Sequence, residues 1–279
     1  MTRLILCADD YGLAPGVSRA IVRLLAAGRL SAASCMSIGL AWPGHATALR
    51  AYADRADIGL HLTLTDHAPL GAMPRLAPEG KLPSVAHLLA LSLTGRLERA
   101  EIAAELERQL DAFERELGRP PDFLDGHQHV HQFPVIRDAV IELWRRRLGG
   151  SRAWMRLCIE PWRATLRLGL DAPKAWAITA LGRALRARAH EAGIPGNDRF
   201  AGIHDFSGRV PYATLFESFV RDAGTGTLLV MCHPGEVDAE LTALDPVTSA
   251  REEELRFFES ATFPELLAQK ELRLARFAV

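Results

Sequence analysis

The sequence predicts an α/β protein built as a β/α barrel, with residues 1–279 forming a single domain. Three observations predict it. Short apolar runs alternate with helical patterns in seven or eight units, which favours a barrel over an open sheet. The length of 279 residues suits a barrel, which uses roughly 250 residues as one domain. Four polar clusters each fall at the C-terminal end of a predicted strand, the end at which parallel α/β folds carry their sites.

Leu4 to Ala8 reads as a buried strand. Val17, Ile21, Leu24 and Leu25 then recur at helical spacing, with Gly28 able to cap the end. Ser31 to Ile38 and Asp57 to Thr65 are the second and third strands, and a Pro/Gly-rich loop runs on to about Pro83. Residues 98 to 117 keep Ile102, Leu106, Leu110, Phe113 and Leu117 in register on one helical face. Phe123 to Gly126 is a short strand, and Pro134 opens a further helix. Trp154 to Ile159, Phe200 to Phe206, Thr227 to Cys232 and Leu272 to Ala278 complete the strands. Residues 160 to 198 break the rhythm: Ala/Arg/Leu-rich, with no strand signal, they read as a helical insertion or lid. Trp162 and Trp176 there are available to stack on a ligand or a neighbouring chain, or to fill core.

Hydrophobic residues make up 48% of the chain, enough for a sizeable core. Lys plus Arg is 33 and Asp plus Glu 34, a net charge of -1 that suggests neither nucleic acid nor an anionic membrane as partner. Cys7, Cys35, Cys158 and Cys232 are widely spaced in apolar runs, so buried free thiols in a reducing cytoplasm are expected. The chain opens directly on a strand with no signal-peptide pattern, and no apolar stretch reaches membrane-spanning length.

The first cluster is ADDYG. Adjacent carboxylates repel unless a cation or proton lies between them; one can bind metal while the other handles a proton. A helix cap is the competing use. In GLHLTLT, strand alternation puts Leu60, Leu62 and Leu64 on the helix side and His61, Thr63 and Thr65 inside the barrel, where His61 is a ligand or a hydrogen-bonded core histidine. In DGHQHVH the strand is ending at Gly126, so one or two of His127, His129 and His131 are expected as ligands, with Asp125 orienting an imidazole. In MCHPGE, Pro234 stops the strand and leaves His233 at the rim. Cys232 and His233, being adjacent in a strand, point to opposite faces and make a poor nucleophile pair.

The ordered set ADDYG, GLHLTLT, LDGHQHVH, CHPGE and the Ser249 to Glu252 segment SARE resembles the YdjC-like carbohydrate deacetylase family, which includes chitooligosaccharide deacetylases. The resemblance covers nearly the whole chain. It implies a distorted β/α barrel related to the NodB-type deacetylases, often a homodimer, acting on an N-acetylated sugar. By position it implies one divalent ion, Mg²⁺ or Zn²⁺, on Asp10, His61 and His127. It implies Asp9 as general base, His233 as general acid, and Arg251 and Glu252 as a polar pair at the substrate. Such an acid must be protonated near neutrality, which a carboxylate such as Glu252 would encourage. Residues 160–198 carry none of these motifs, and the histidine run differs from the lysine-containing form of the hopanoid-linked subgroup. An amidohydrolase would place H-x-H on its first strand, where this chain has Asp9-Asp10; a metal-dependent sugar-binding protein would share the ligands without needing Asp9 or His233.

Overall fold

A computed structural model describes residues 2–160, 172–221 and 223–277. Among these residues eight strands form: β1 (Thr2–Tyr11), β2 (Ala32–Cys35), β3 (Asp57–Leu62), β4 (Phe123–Gly126), β5 (Trp154–Met155), β6 (Arg199–Ala201), β7 (Thr227–Cys232) and β8 (Leu272–Leu274). They follow the order β5-β4-β3-β2-β1-β7-β6, with every pairing parallel. β8 pairs with the start of β1 on the side that β2 takes further along: Ala275 N–H donates to Leu4 O and Ser31 N–H to Leu6 O.

Alternation along β1 sorts its side chains. Leu4, Leu6 and Ala8 join the large core between sheet and helices, whereas Ile5 and Cys7 join a smaller interior cluster with Phe123, Trp154, Phe200, Leu229 and Met231. That interior is closed at its N-terminal end. Trp154 stacks between Phe123 and Phe277, with ring centroids at 4.4 and 4.9 Å, and Arg276 pairs with the buried Asp57 at 2.8 Å. The C-terminal end stays polar.

Between β5 and β6 a side chain helps to close the curl, beside the backbone bond from Phe200 N–H to Ile159 O at 3.2 Å. Asn197 Oδ1 accepts from Leu157 N–H at 2.8 Å, and its Nδ2 donates to the carbonyls of Leu157 and Arg199, each at 2.9 Å. The amide thus stands in for a peptide unit, and β5 is shorter than its apolar run predicts. β6 is also short, because Gly202 adopts φ +115° against the backbone of Met231. The stretch from 160 to 198, expected as an insertion, instead contains the crossover helix that a barrel requires there. The Ala172–Glu191 helix packs Leu185 and Ala189 into the main core and Ala175 into the interior cluster. Its arginine-rich composition hid that face. Trp176 is 53% exposed, and Trp162 lies outside the described residues.

Helices Pro15–Ala26 and Arg99–Leu117 form where the periodicity predicts them, and Gly118 ends the second with φ 80°. The helix expected from Pro134 begins at Ile136, because Val135 sits at φ 67°. The four cysteines are free and buried. Among the described residues no helix is long and apolar enough to cross a membrane.

Gly59 is a close approach inside the barrel: a Cβ there would lie 2.4 Å from three carbons of the Phe123 ring. Gly59→Ala should therefore destabilise the fold by about 1–3 kcal/mol through overpacking. An unshifted denaturant midpoint would mean that the ring can move aside freely.

Candidate active site

Alternation alone would point Asp10 away from Asp9, into the helices. It does not, because Asp10 adopts φ 66° and the β1–β2 register shifts between Ala8 and Tyr11. A left-handed conformation is disfavoured for any residue with a Cβ, though Asp tolerates it better than most. The strain turns both carboxylates to the polar end of the barrel, where Asp9 and Asp10 are 2% and 1% exposed.

Three residues then converge. His127 Nδ1 lies 3.0 Å from Asp10 Oδ1, and His61 Nε2 lies 3.4 Å from the same oxygen. One donor atom from each of Asp10, His61 and His127 falls within 4.8 Å of the other two. The other nitrogen of His61 is engaged: Nδ1 meets Asp125 Oδ1 at 2.7 Å, and Ser34 Oγ donates to that oxygen at 2.5 Å. A histidine held by a carboxylate on Nδ1 with Nε2 free is the usual arrangement of a metal ligand. The donor set of one carboxylate and two imidazoles fits a divalent cation. Burial pushes His61 towards its neutral form, but Asp125 and Asp10 outweigh it and lift the pKa to about 10. Burial acts against the charge on Asp10, yet Arg251 and His127 hold its carboxyl well below the usual range.

The histidine run separates as the ending strand predicts. Gln128 and His129 take φ 52° and 61°, so the three imidazoles do not share a face. His131 Nε2 faces Arg156 O at 3.0 Å, and burial lowers its pKa to about 4; His129 Nδ1 lies 3.5 Å from Cys158 Sγ. Gly126 permits the turn, since a Cβ there would come within 2.9 Å of His131 N.

Asp9 is held by a residue that the sequence reading missed. Arg156, with 0% side-chain exposure, donates to Asp9 Oδ2 and Oδ1, both at 2.6 Å, and lies 2.6 Å from Asp125 Oδ2. Its signal was present: Arg156 shares the inward parity of Trp154 and Cys158, an arginine within an apolar strand run. The donors of Cys7, Asp9 and Asp125 also cluster, but the Arg156 guanidinium already fills the space between them.

Arg251 is buried, and its Nη2 donates to Asp10 Oδ2 at 2.6 Å and to Asp245 Oδ2 at 2.5 Å. Glu252 lies on the exposed face of the same helix, Ser249–Glu259, and is not brought to the cluster. The carboxylate beside His233 is that of Glu254, one turn from Arg251. Its Oε2 accepts the His233 backbone N–H at 2.5 Å, and its Oε1 meets His204 Nε2 at 3.2 Å. His233 stands edge-on to Phe206, with ring centroids at 5.1 Å. Burial outweighs the carboxylates of Asp10, Asp9 and Glu254 and lowers the His233 pKa, so the expectation that a neighbouring acid keeps it protonated does not hold.

A curled parallel barrel with an acidic pair and two histidines at one end defines the class, and sequence comparison defines the family. The chain belongs to the YdjC-like protein family, whose pattern matches residues 3–269. It is 30% identical over 283 residues to a chitooligosaccharide deacetylase of Yersinia pestis bv. Antiqua (strain Angola), covering 98% of this chain and 97% of that one. It is 31% identical over 241 residues to the chitooligosaccharide deacetylase of Serratia marcescens, covering 85% and 83%. Among solved structures, one provisionally described as a cellobiose-phosphate cleavage protein of Enterococcus faecalis V583 superposes with a TM-score of 0.74 at 19% identity, covering 99% of this chain and 97% of that one. A peptidoglycan N-acetylglucosamine deacetylase superposes with a TM-score of 0.50 at 9% identity, covering 99% and 86%. These two likenesses establish the barrel fold.

Removing Arg156 takes away the buried cation that pairs with Asp9 and with Asp125 Oδ2. Arg156→Met should destabilise the protein by roughly 3–5 kcal/mol, the cost of breaking a buried ion pair from one side. Thermal melting of this variant reads it; a Tm equal to that of wild type would show that Asp9 and Asp125 find other partners.

Proposed function

We propose that the protein is a hydrolase that removes the acetyl group from an N-acetylated amino sugar or its oligosaccharide, using one divalent cation held by Asp10, His61 and His127. The observation that carries this reading is the convergence of those three donor sets within 4.8 Å, with the Arg156-bound Asp9 adjacent on the same strand. The names of relatives about 30% identical across nearly the full chain support the substrate class.

When bound, a divalent cation at these donors supplies Lewis acidity to the acetyl carbonyl and makes water more acidic. The remaining work belongs to the chain. Asp9, its orientation fixed by two hydrogen bonds from Arg156, accepts a proton from the attacking water. Arg251 engages Asp10 Oδ2 and so leaves Oδ1 to face the imidazoles. His233 gives a proton to the departing nitrogen, without which an amine is a poor leaving group. The amide C–N bond breaks, water adds across it, and acetate and a free amine result.

Acetate release from N-acetylglucosamine oligomers tests the function directly and separates an enzyme from a sugar-binding protein. His61→Ala and His127→Ala should lose both bound metal and turnover, whereas Asp9→Asn should keep the metal and lose turnover by roughly 10²–10⁴-fold. Elemental analysis of the purified variants reads the metal and identifies it as zinc, which the donor set suits by softness, or magnesium. Asp9→Asn protein without metal would reverse the roles given to the two acids.

The lowered His233 pKa sets a pH dependence. The cationic form needed for proton donation is present below that pKa and is lost as pH rises through it. Turnover on an acetamide should therefore begin to fall at a pH below 6.5, the ordinary histidine value. His233→Ala should remove this limb, and should slow an acetamide far more than 4-nitrophenyl acetate, whose phenolate leaves unprotonated. Equal loss on both substrates would assign His233 to carbonyl positioning instead.

A further inference from the structure

Next to the donor cluster stands an imidazole that the mechanism does not use. His67 follows the GLHLTLT segment, and its ring lies edge-on to His127, with centroids 6.0 Å apart and planes at 66°. It is half-buried, and it feels the charges of Asp10 and Asp66, and of Asp245 from across the site. Among the described residues its ring nitrogens hold no hydrogen bond, and they stand outside the donor group that Asp10, His61 and His127 form.

Its position is fixed by the backbone rather than by the ring. His67 N–H donates to Thr65 O at 2.7 Å, and His67 O accepts from Leu82 N–H at 2.9 Å. Asp66, at φ 60°, donates its N–H to Pro83 O at 3.1 Å, and its carboxylate accepts from Gln128 Nε2 at 3.3 Å. The turn is therefore tied both to the loop that follows it and to the segment carrying His127. A residue held this firmly, with its polar ring atoms unspent, is preorganised to receive a ligand.

We propose that His67 is a substrate-binding residue that hydrogen-bonds a hydroxyl of the acetylated sugar. The inference rests on the deacetylase reading and deepens it. Asp10 and His61 are buried and His67 is half-buried, so a sugar whose acetyl group reaches the Asp10–His61–His127 donors lies outward, at the level of His67. A neutral imidazole offers one donor and one acceptor, and a sugar hydroxyl is both. His67 therefore acts on the sugar and not on the acetyl group.

The test uses the full-length, metal-loaded protein with di-N-acetylchitobiose as the probe, comparing wild type, His67→Ala and His67→Gln. Calorimetric titration gives affinity, acetate release gives kcat and KM, and 4-nitrophenyl acetate reports on the acetyl site without a sugar. His67→Ala should weaken binding and raise KM by about 3–10-fold, the value of one hydrogen bond. Metal content, melting temperature, kcat and ester hydrolysis should stay near wild type, and Gln, which keeps a donor and an acceptor, should recover part of the affinity. Loss of metal would make His67 a ligand; equal loss on sugar and ester would place it in the chemistry; unchanged affinity and KM would make it a bystander. Each of these overturns the proposal. Wild-type protein that binds the sugar but releases no acetate would refute the deacetylase reading while the affinity comparison still judges His67; wild-type protein that does not bind it would overturn both.

Discussion

Arg156 is the constraint on which the polar end of the barrel depends. It is buried, and it reaches Asp9 of β1 and Asp125 of β4 from the segment just beyond β5. Burying a guanidinium costs several kcal/mol in lost hydration, a cost offset only by close and well-shaped carboxylate partners. That requirement fixes the rotamers of both acids. Asp125, once fixed, holds His61 by Nδ1 and leaves Nε2 to face Asp10. One buried cation thus orients two acids, and through one of them an imidazole.

Opposite charges are paired locally. Arg156 pairs with Asp9 and Asp125, Arg251 pairs with Asp10 and Asp245, and Asp125 with Asp10 raises the His61 pKa to about 10. A ligand imidazole must be neutral, so a cation entering the site competes with the His61 proton. The imidazole whose pKa is raised thus belongs to one of the three residues that face one another at the donor cluster.

Strain is concentrated at the same end. Asp10, Asp66, Gln128 and His129 all adopt positive φ, and all follow the ends of barrel strands or lie within the last residues of one. Regular strand geometry would have alternated their side chains between core and cleft. The rigid sheet beneath and the clamped loops above hold the turns in place, which is how neighbouring residues such as Asp9 and Asp10 come to serve one site.

The sequence by itself determined the eight strands, their parallel barrel, and the residues at their polar ends, because period-two apolar runs and the break at each strand end are local signals. His61 and the inward parity of Arg156 were legible in the same way. Only the tertiary structure decided what those residues touch. No local pattern says that Asn197 will help to close the β5–β6 gap, that Glu254 rather than Glu252 will stand beside His233, or that His67 will lie against His127. Each of these depends on side chains brought from distant segments, and on single backbone torsions that a composition cannot encode. The sequence chose the ingredients through periodicity; the packing of one buried arginine and a few left-handed turns set their arrangement.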